Sequence, residues 1–184
     1  VKIGIIIGSI RQGRKGEAVA KWVLDQAQAR GDAEYSIIDL MEFGVPLLDS
    51  PVVPGAANRQ YESENVRRWG ATIDTYDGFI FVTPEYNHSV PGAFKNAVDS
   101  IGPEWIGKAV AFVSYGASNG IRAVEHWRQI VSNFQMIDVR GQVELSNFTE
   151  FDADGNVTPE AHRGQDAQTM LDQLIRATKQ SQMA

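Results

Sequence analysis

The sequence predicts an α/β fold, a five-stranded parallel sheet covered on both faces by helices. Short apolar runs rich in β-branched residues recur along the chain, as expected of strands buried on both sides. Stretches with apolar residues at helical spacing lie between them. The two kinds of segment alternate to the end of the 184 residues, the pattern of parallel strands joined by helical crossovers. No repeat or low-complexity segment interrupts the alternation, and residues 1–184 are expected to form one domain.

The first strand, residues 1–7, reads Val1-Lys2-Ile3-Gly4-Ile5-Ile6-Ile7. A helix then starts at Glu17, with Val19, Ala20, Val23, Leu24 and Ala27 on one side. Residues 35–40 suit a second strand, and residues 58–75 a helix carrying Val66, Trp69 and Ile73. Residues 78–83 are the most strand-like run in the chain. Residues 91–101 make a short helix with Pro91 at its start, where a missing N–H does no harm. The fourth strand is 109–114, followed by a helix over 121–134 with Val124, Trp127, Ile130 and Val131 together. Residues 136–139 open a fifth strand that continues toward Leu145, and residues 159–180 form the closing helix. Trp22, Trp69, Trp105 and Trp127 stand at helical or helix-flanking positions and are expected in the core or at an interface.

Two loops are long enough to suggest function. Residues 41–57 are too apolar for a solvated loop and are expected to cover a site or pack on a partner subunit. Residues 146–158 contain Asp152-Ala153-Asp154-Gly155-Asn156, which resembles the start of a calcium loop. The later Gly and Glu are missing, so a polar turn is expected there.

Composition narrows the function classes. The absence of cysteine excludes disulfides, thiolate catalysis and Cys-based metal sites. A formal net charge of −6 argues against non-specific binding to nucleic acid or anionic membrane. No apolar stretch approaches the roughly 20 residues of a membrane span, and the chain opens on a strand instead of a signal peptide. A soluble cytoplasmic protein is expected. His88, His126 and His162 are scattered without metal-ligand spacing.

The chemistry centres on the first turn. The first strand runs into Gly8-Ser9-Ile10-Arg11-Gln12-Gly13-Arg14-Lys15-Gly16 and then into a helix. A strand, a Gly-rich turn and a helix N-terminus together make an anion site, because free N–H groups and the helix dipole meet there. Arg11, Arg14 and Lys15 add three cations within five residues, and a phosphate is the expected guest. The dinucleotide fingerprint fails, since position 10 is Ile where Gly is required. The Walker A loop fails too, because Arg14 and Lys15 stand where Lys and Ser or Thr are required. Asp39, at the end of the second strand, is read as a strand-end cap.

Ligands of open parallel sheets sit beyond the carboxyl ends of the strands. The first turn, the stretch Thr83-Pro84-Glu85-Tyr86-Asn87-His88-Ser89-Val90-Pro91-Gly92 and the stretch Ser114-Tyr115-Gly116-Ala117-Ser118-Asn119-Gly120 should therefore converge. Their main-chain N–H groups, amides, hydroxyls and the Tyr86 ring suit a flat, polar-edged heterocycle attached to a phosphate.

Together, Gly8-Ser9-Ile10-Arg11, the stretch from Pro84 to Gly92 followed by Lys95-Asn96-Ala97, and Ser114-Tyr115-Gly116 resemble the flavodoxin-like NAD(P)H-dependent FMN reductases and related quinone, chromate and azo reductases. The resemblance implies a flavodoxin-like three-layer sandwich with strand order 2-1-3-4-5, bound FMN, NADPH or NADH as co-substrate, and assembly into homodimers or homotetramers. Ser9 and Arg11 would take the phosphate. Many relatives have a small hydroxyl residue and an Asn where this chain has Arg14 and Gly16, so the phosphate falls also to Arg14 and to N–H groups at Gly16 and Glu17. Pro84, Glu85, Tyr86 and Asn87 would line the isoalloxazine, and Ser114, Tyr115 and Gly116 would close its pyrimidine end. Hydride would pass from the nicotinamide to flavin N5 and the electrons onward to a flavin, quinone or similar acceptor in ping-pong fashion, with no side-chain acid or base and no metal. Two other classes use the same loops: a flavodoxin-type one-electron carrier, and a phosphate- or nucleotide-sensing module without redox chemistry.

Overall fold

The computed structural model describes residues 1–183. Five parallel strands form one sheet: β1 (Lys2–Ile7), β2 (Glu34–Asp39), β3 (Gly78–Pro84), β4 (Ala109–Gly116) and β5 (Ile137–Ser146), in the order 2-1-3-4-5. The helices are α1 (Gly16–Gln28), α2 (Glu64–Asp74), α3 (Gly92–Asp99), α4 (Ile121–Ser132) and α5 (Arg163–Ser181). This is the flavodoxin-like order that the sequence resemblance implies. Among the described residues no helix is long and apolar enough to cross a membrane.

The two-residue period of a strand sends alternate side chains to opposite faces, and the two faces are filled differently. Ile5, Ile7, Ile80, Val82, Ala111 and Val113 pack beneath α1 and α5 in an aliphatic layer. Ile6, Phe79, Phe81, Val110 and Phe112 face α2, α3 and α4 in an aromatic one. Phe81 sits at its centre, ringed by Phe94, Trp105, Phe112 and Trp127 with centroids 4.8 to 5.9 Å away. Each such fully buried ring contributes roughly 1.5–3 kcal/mol from burial alone. Three of the four tryptophans, Trp69, Trp105 and Trp127, are buried in this layer, which decides between core and interface for them.

Two helix starts differ from the sequence expectation by several residues. The second helix begins at Glu64 and not at residue 58, because Asn58 and Arg59 adopt left-handed backbone (φ 48° and 62°) and Ser63 caps the new start through the Val66 N–H. The closing helix starts at Arg163, after residues 159–162 have turned beneath Glu150. The fifth strand runs to Ser146, one residue past the expected Leu145, with a register shift opposite Val110 and Phe112. That irregularity presses Gly141 onto α5, where a Cβ would stand 2.8 Å from the Met170 Cα.

The apolar loop at 41–57 folds as two short 3₁₀ turns, Leu40–Phe43 and Pro54–Ala56, around an extended segment. Asn96 holds that segment with both ends of its amide, accepting from the Leu48 N–H at 2.9 Å and donating to the Pro46 carbonyl at 2.8 Å. Leu47 and Val53 remain 80% and 70% exposed, which leaves much of the loop's apolar surface outward.

Candidate functional site

The carboxyl ends of β1, β3 and β4 bring the three expected loops to one edge of the sheet, around a cleft of about 200 Å³. Ser9, Arg11, Arg14, Pro84, Glu85, Tyr86 and Tyr115 line it, joined by Gln12, Gly13, Lys15 and Asn147.

The opening loop leaves β1 under tight constraint. The Gly8 N–H bonds to the Val82 carbonyl at 2.9 Å, and a Cβ at Gly8 would stand 2.1 Å from the Phe94 ring, so only glycine fits. Ser9 is buried, and its hydroxyl shares a 2.6 Å hydrogen bond with the Tyr86 hydroxyl. Gly13 takes left-handed backbone, with φ 66°. α1 then starts at Gly16, leaving first-turn N–H groups at Gly16 and Glu17 without helical partners. Arg11 is exposed with its guanidinium 5.6 Å from the Tyr86 ring centroid. Lys15 donates to the Asn147 carbonyl at 3.3 Å and lies 4.1 Å from the Phe151 ring centroid.

Arg14 behaves differently from its neighbours. Its side chain is 5% exposed and pairs with Asp39 and Glu17. The hydrogen bond to Asp39 raises it above the ordinary arginine value, against the opposing effect of burial. Asp39 does cap the chain, accepting the Met41 N–H at 3.0 Å, but the sequence reading missed its pairing with Arg14. The expected phosphate role of Arg14 therefore meets a guanidinium already committed to protein groups.

The second loop is a tight hairpin. Tyr86 and Ser89 exchange main-chain hydrogen bonds at 3.0 and 3.2 Å, and Asn87 and His88 between them have φ of 49° and 76°. Two left-handed residues are what a two-residue hairpin of this hand requires, and Asn tolerates that better than His. Asn87 is exposed and does not line the cleft, and Tyr86 points its hydroxyl at Ser9. Glu85 turns away from the cleft: its carboxylate, 5% exposed, pairs with Arg122 and accepts the Arg122 N–H at 3.2 Å. Arg122 also reaches His88 Nδ1 at 3.0 Å and the Ser118 hydroxyl at 2.9 Å. What Glu85 leaves facing the cleft edge is main chain, with its N–H donating to the Tyr115 carbonyl at 3.2 Å.

At the end of β4, Ser114 is buried and donates to the Asn119 carbonyl at 2.7 Å, so its hydroxyl shapes the turn and does not line the cleft. Gly116 accepts the Asn147 N–H at 3.0 Å. Tyr115 reaches the opening loop: a Cβ at Gly16 would stand 3.0 Å from its hydroxyl. Burial, with Tyr86 adding to it, holds the Tyr115 phenol above its usual range, so it stays a proton donor. That hydroxyl and the Asn147 Oδ1 are buried without a hydrogen-bond partner among the described residues.

Asn147 was not expected. It follows β5, and only the neighbourhood of β5 to β4 could have pointed to it. Its loop is fastened by Glu150, fully buried, which accepts the N–H groups of Ser146 and Glu160 at 2.8 and 3.1 Å and Arg163 Nε at 3.0 Å. The Asp152 turn closes on itself, with Asp152 accepting the N–H groups of Asp154 and Asn156, as a polar turn does.

Comparison with known proteins places this arrangement. The profile of the NADPH-dependent FMN reductase family matches residues 1–150. An NAD(P)H-dependent FMN reductase of Nectria sp is 44% identical over 126 residues, 66% of this chain and 63% of the relative, under two thirds of its length. An NAD(P)H-dependent FMN reductase of Saccharomyces cerevisiae is 30% identical over 150 residues, 77% of this chain and 78% of the relative. In fold, the chain is similar to the flavoenzyme NAD(P)H:(acceptor) oxidoreductase FerB of Paracoccus denitrificans, with TM-score 0.75, 98% of each chain covered and 21% identity. Matched over most of its length, the chain belongs to the NADPH-dependent FMN reductase family.

Proposed function

We propose that this chain is an FMN-binding oxidoreductase that oxidises NADPH or NADH and delivers the electrons to a flavin, a quinone or a similar small acceptor, and that residues 1–184 form its single FMN-binding domain. The observation that carries the reading is the unpaired Tyr115 hydroxyl. A buried phenol donor without a partner among the described residues, in a cleft between cations and a helix N-terminus, suits an anionic guest. Membership of the family points to FMN as that guest.

The phosphate would be held by Arg11 and Ser9, by Tyr115, and by the N–H groups of Gly16 and Glu17. The main chain of Pro84, Glu85, Tyr86 and Asn87 would lie along the ring, with Gly116 at its pyrimidine end. When bound, FMN supplies the redox chemistry by accepting hydride from the nicotinamide and passing electrons on in a ping-pong cycle. The protein's share is placement. The Glu85–Arg122 pair holds the second loop to α4. No side-chain acid or base enters this reading. The exposed Leu47 and Val53 support assembly of copies into a dimer or tetramer through the 41–57 loop.

The test is spectroscopic. Protein reconstituted with FMN and mixed with NADPH or NADH without oxygen should lose its visible flavin absorbance and regain it when a quinone is added. Full FMN occupancy with no bleaching by either nicotinamide would refute the enzyme reading and favour a one-electron carrier.

A further inference from the structure

A guanidinium carries five N–H donors and no acceptor. In Arg14 all five are used within the protein. Nε and one Nη2 donor go to Glu17 Oε1 at 2.9 and 2.7 Å. The other Nη2 donor and one from Nη1 clasp both oxygens of Asp39, at 2.5 and 2.7 Å. The last Nη1 donor reaches the Ser9 carbonyl at 2.7 Å. Three parts of the chain distant from one another in local structure meet on this side chain: the opening loop, the first turn of α1 and the end of β2. The charge of the cluster is also unsuited to an anion. Asp39 and Glu17 together outweigh the single positive charge of Arg14.

We propose that Arg14 is a strut and not a phosphate ligand, and that Asp39, which faces no ligand in this arrangement, is the positioning residue on which affinity for the phosphate depends. Arg14 fixes the Ser9 carbonyl. That holds the loop's main chain in place, and with it Ser9, which lines the cleft and bonds Tyr86 through its hydroxyl. The loop's other ties are the Gly8 N–H to Val82, the Arg11 N–H to the Ser9 hydroxyl at 3.4 Å, the Ser9 hydroxyl to that of Tyr86 and Lys15 to the Asn147 carbonyl, and none of them holds the Ser9 carbonyl. Without the strut the donors would have to be ordered when the ligand arrives, and binding would weaken by that amount. The inference rests on reading the cleft as the FMN phosphate site.

The two roles predict opposite signs for one substitution. Coulomb's law alone says that removing the Asp39 charge should tighten binding of a nearby dianion. The strut says that Asp39→Asn should loosen it. The experiment titrates FMN and riboflavin calorimetrically into the unmutated protein and into Asp39→Asn, Arg14→Lys, Arg14→Ala and the double variant Arg14→Ala/Asp39→Asn, with thermal melts of each. FMN affinity should fall about tenfold or more in Asp39→Asn, the scale of losing charge-assisted hydrogen bonds. Riboflavin affinity should stay within about twofold, since the strut acts on the phosphate donors. Arg14→Lys should fare as badly as Arg14→Ala, because an ammonium cannot span the fork. The double variant should be no worse than Arg14→Ala alone.

Unchanged or tighter FMN binding in Asp39→Asn would overturn the proposal, as would Arg14→Lys keeping the preference for FMN. A parallel loss of riboflavin affinity would reduce Asp39 to a general structural role and overturn it as well. Equal affinities for FMN and riboflavin in the unmutated protein would refute the phosphate site itself, a separate failure. Should Asp39→Asn not fold, Glu17→Gln at the exposed side of the cluster (65% exposed) must still weaken FMN, or the strut is wrong.

Discussion

Tyr115→Phe separates stability from ligand binding with one atom. The Tyr115 hydroxyl is buried and unpaired among the described residues, facing Gly16 at the start of α1. A buried polar group without a partner destabilises by about 1–3 kcal/mol, and phenylalanine keeps the ring while removing the group. The ligand-free variant should therefore be more stable by about 1 kcal/mol or more, which raises Tm by roughly 2–4 °C for a chain of this size. FMN should bind it less well, because a hydrogen bond to a charged acceptor contributes about 1.5–3 kcal/mol, a loss of roughly 10-fold to 100-fold in affinity. The stabilisation on adding saturating FMN should shrink accordingly. Alkali gives a second readout. A phenol whose value is raised in the folded state contributes stability that is full below its unfolded value near pH 10 and is lost as pH rises through the folded one. The unmutated protein should lose stability above about pH 10 more steeply than Tyr115→Phe. Melts with and without FMN, at neutral and alkaline pH, decide the matter. A lower Tm for the ligand-free variant together with unchanged FMN affinity would show that the hydroxyl is satisfied within the protein and that the argument is wrong.

Burial alone would raise the Glu150 carboxyl, but Arg163 and the N–H groups of Ser146 and Glu160 hold it below its ordinary value; its stabilisation is present above about pH 4.5 and lost as pH falls through the lowered value. Glu150→Ala, which leaves Arg163 only its Asp166 partner and frees the N–H groups of Ser146 and Glu160, should cost about 3–5 kcal/mol at neutral pH in chemical denaturation, and Glu150→Gln should flatten the acid limb of the stability curve. Gly8→Ala places a methyl 2.1 Å from the Phe94 ring and should lower stability by about 1–3 kcal/mol, with partial recovery in Gly8→Ala/Phe94→Leu; an unchanged Tm would mean that the loop is looser than its geometry. Raising ionic strength from about 0.01 to 0.15 M shortens the Debye length from about 30 to 8 Å, so FMN affinity should fall while riboflavin affinity holds; parallel behaviour of both ligands would remove Arg11 and Lys15 from the phosphate.

The sheet was legible because its three central strands are buried on both faces, so their apolar runs stand out without any need for periodicity. The division of those runs into an aliphatic and an aromatic layer was written in the same residues, in the alternation of Phe79, Ile80, Phe81 and Val82. Element starts were less legible. Residues 58–63 have helical composition, but Ser63 offers a cap and Asn58 a left-handed turn, and tertiary fit decided for both. β5 was read toward Leu145, close to its end at Ser146, although it lacks a continuous apolar run. Its outer half alternates with charged residues because it lies at the sheet edge, where one side meets solvent.

At the site the sequence identified the loops and misjudged the charges, for a reason that is general. Counting Arg11, Arg14 and Lys15 as three cations for a phosphate assumes that each faces the same way, but a loop presents side chains on both sides. Asp39 lies 25 positions from Arg14, and their pairing depends on β2 lying beside β1. No local pattern records that adjacency. The same holds for Glu85 and Arg122, 37 positions apart across the β3–β4 edge, where the Glu85 carboxylate anchors the loop to α4. Arg11 and Lys15 remain, and among the described residues neither forms an ion pair. A phosphate in this cleft would therefore meet two cations, one phenol and a helix N-terminus, beside an Arg14 whose five donors are already used within the protein.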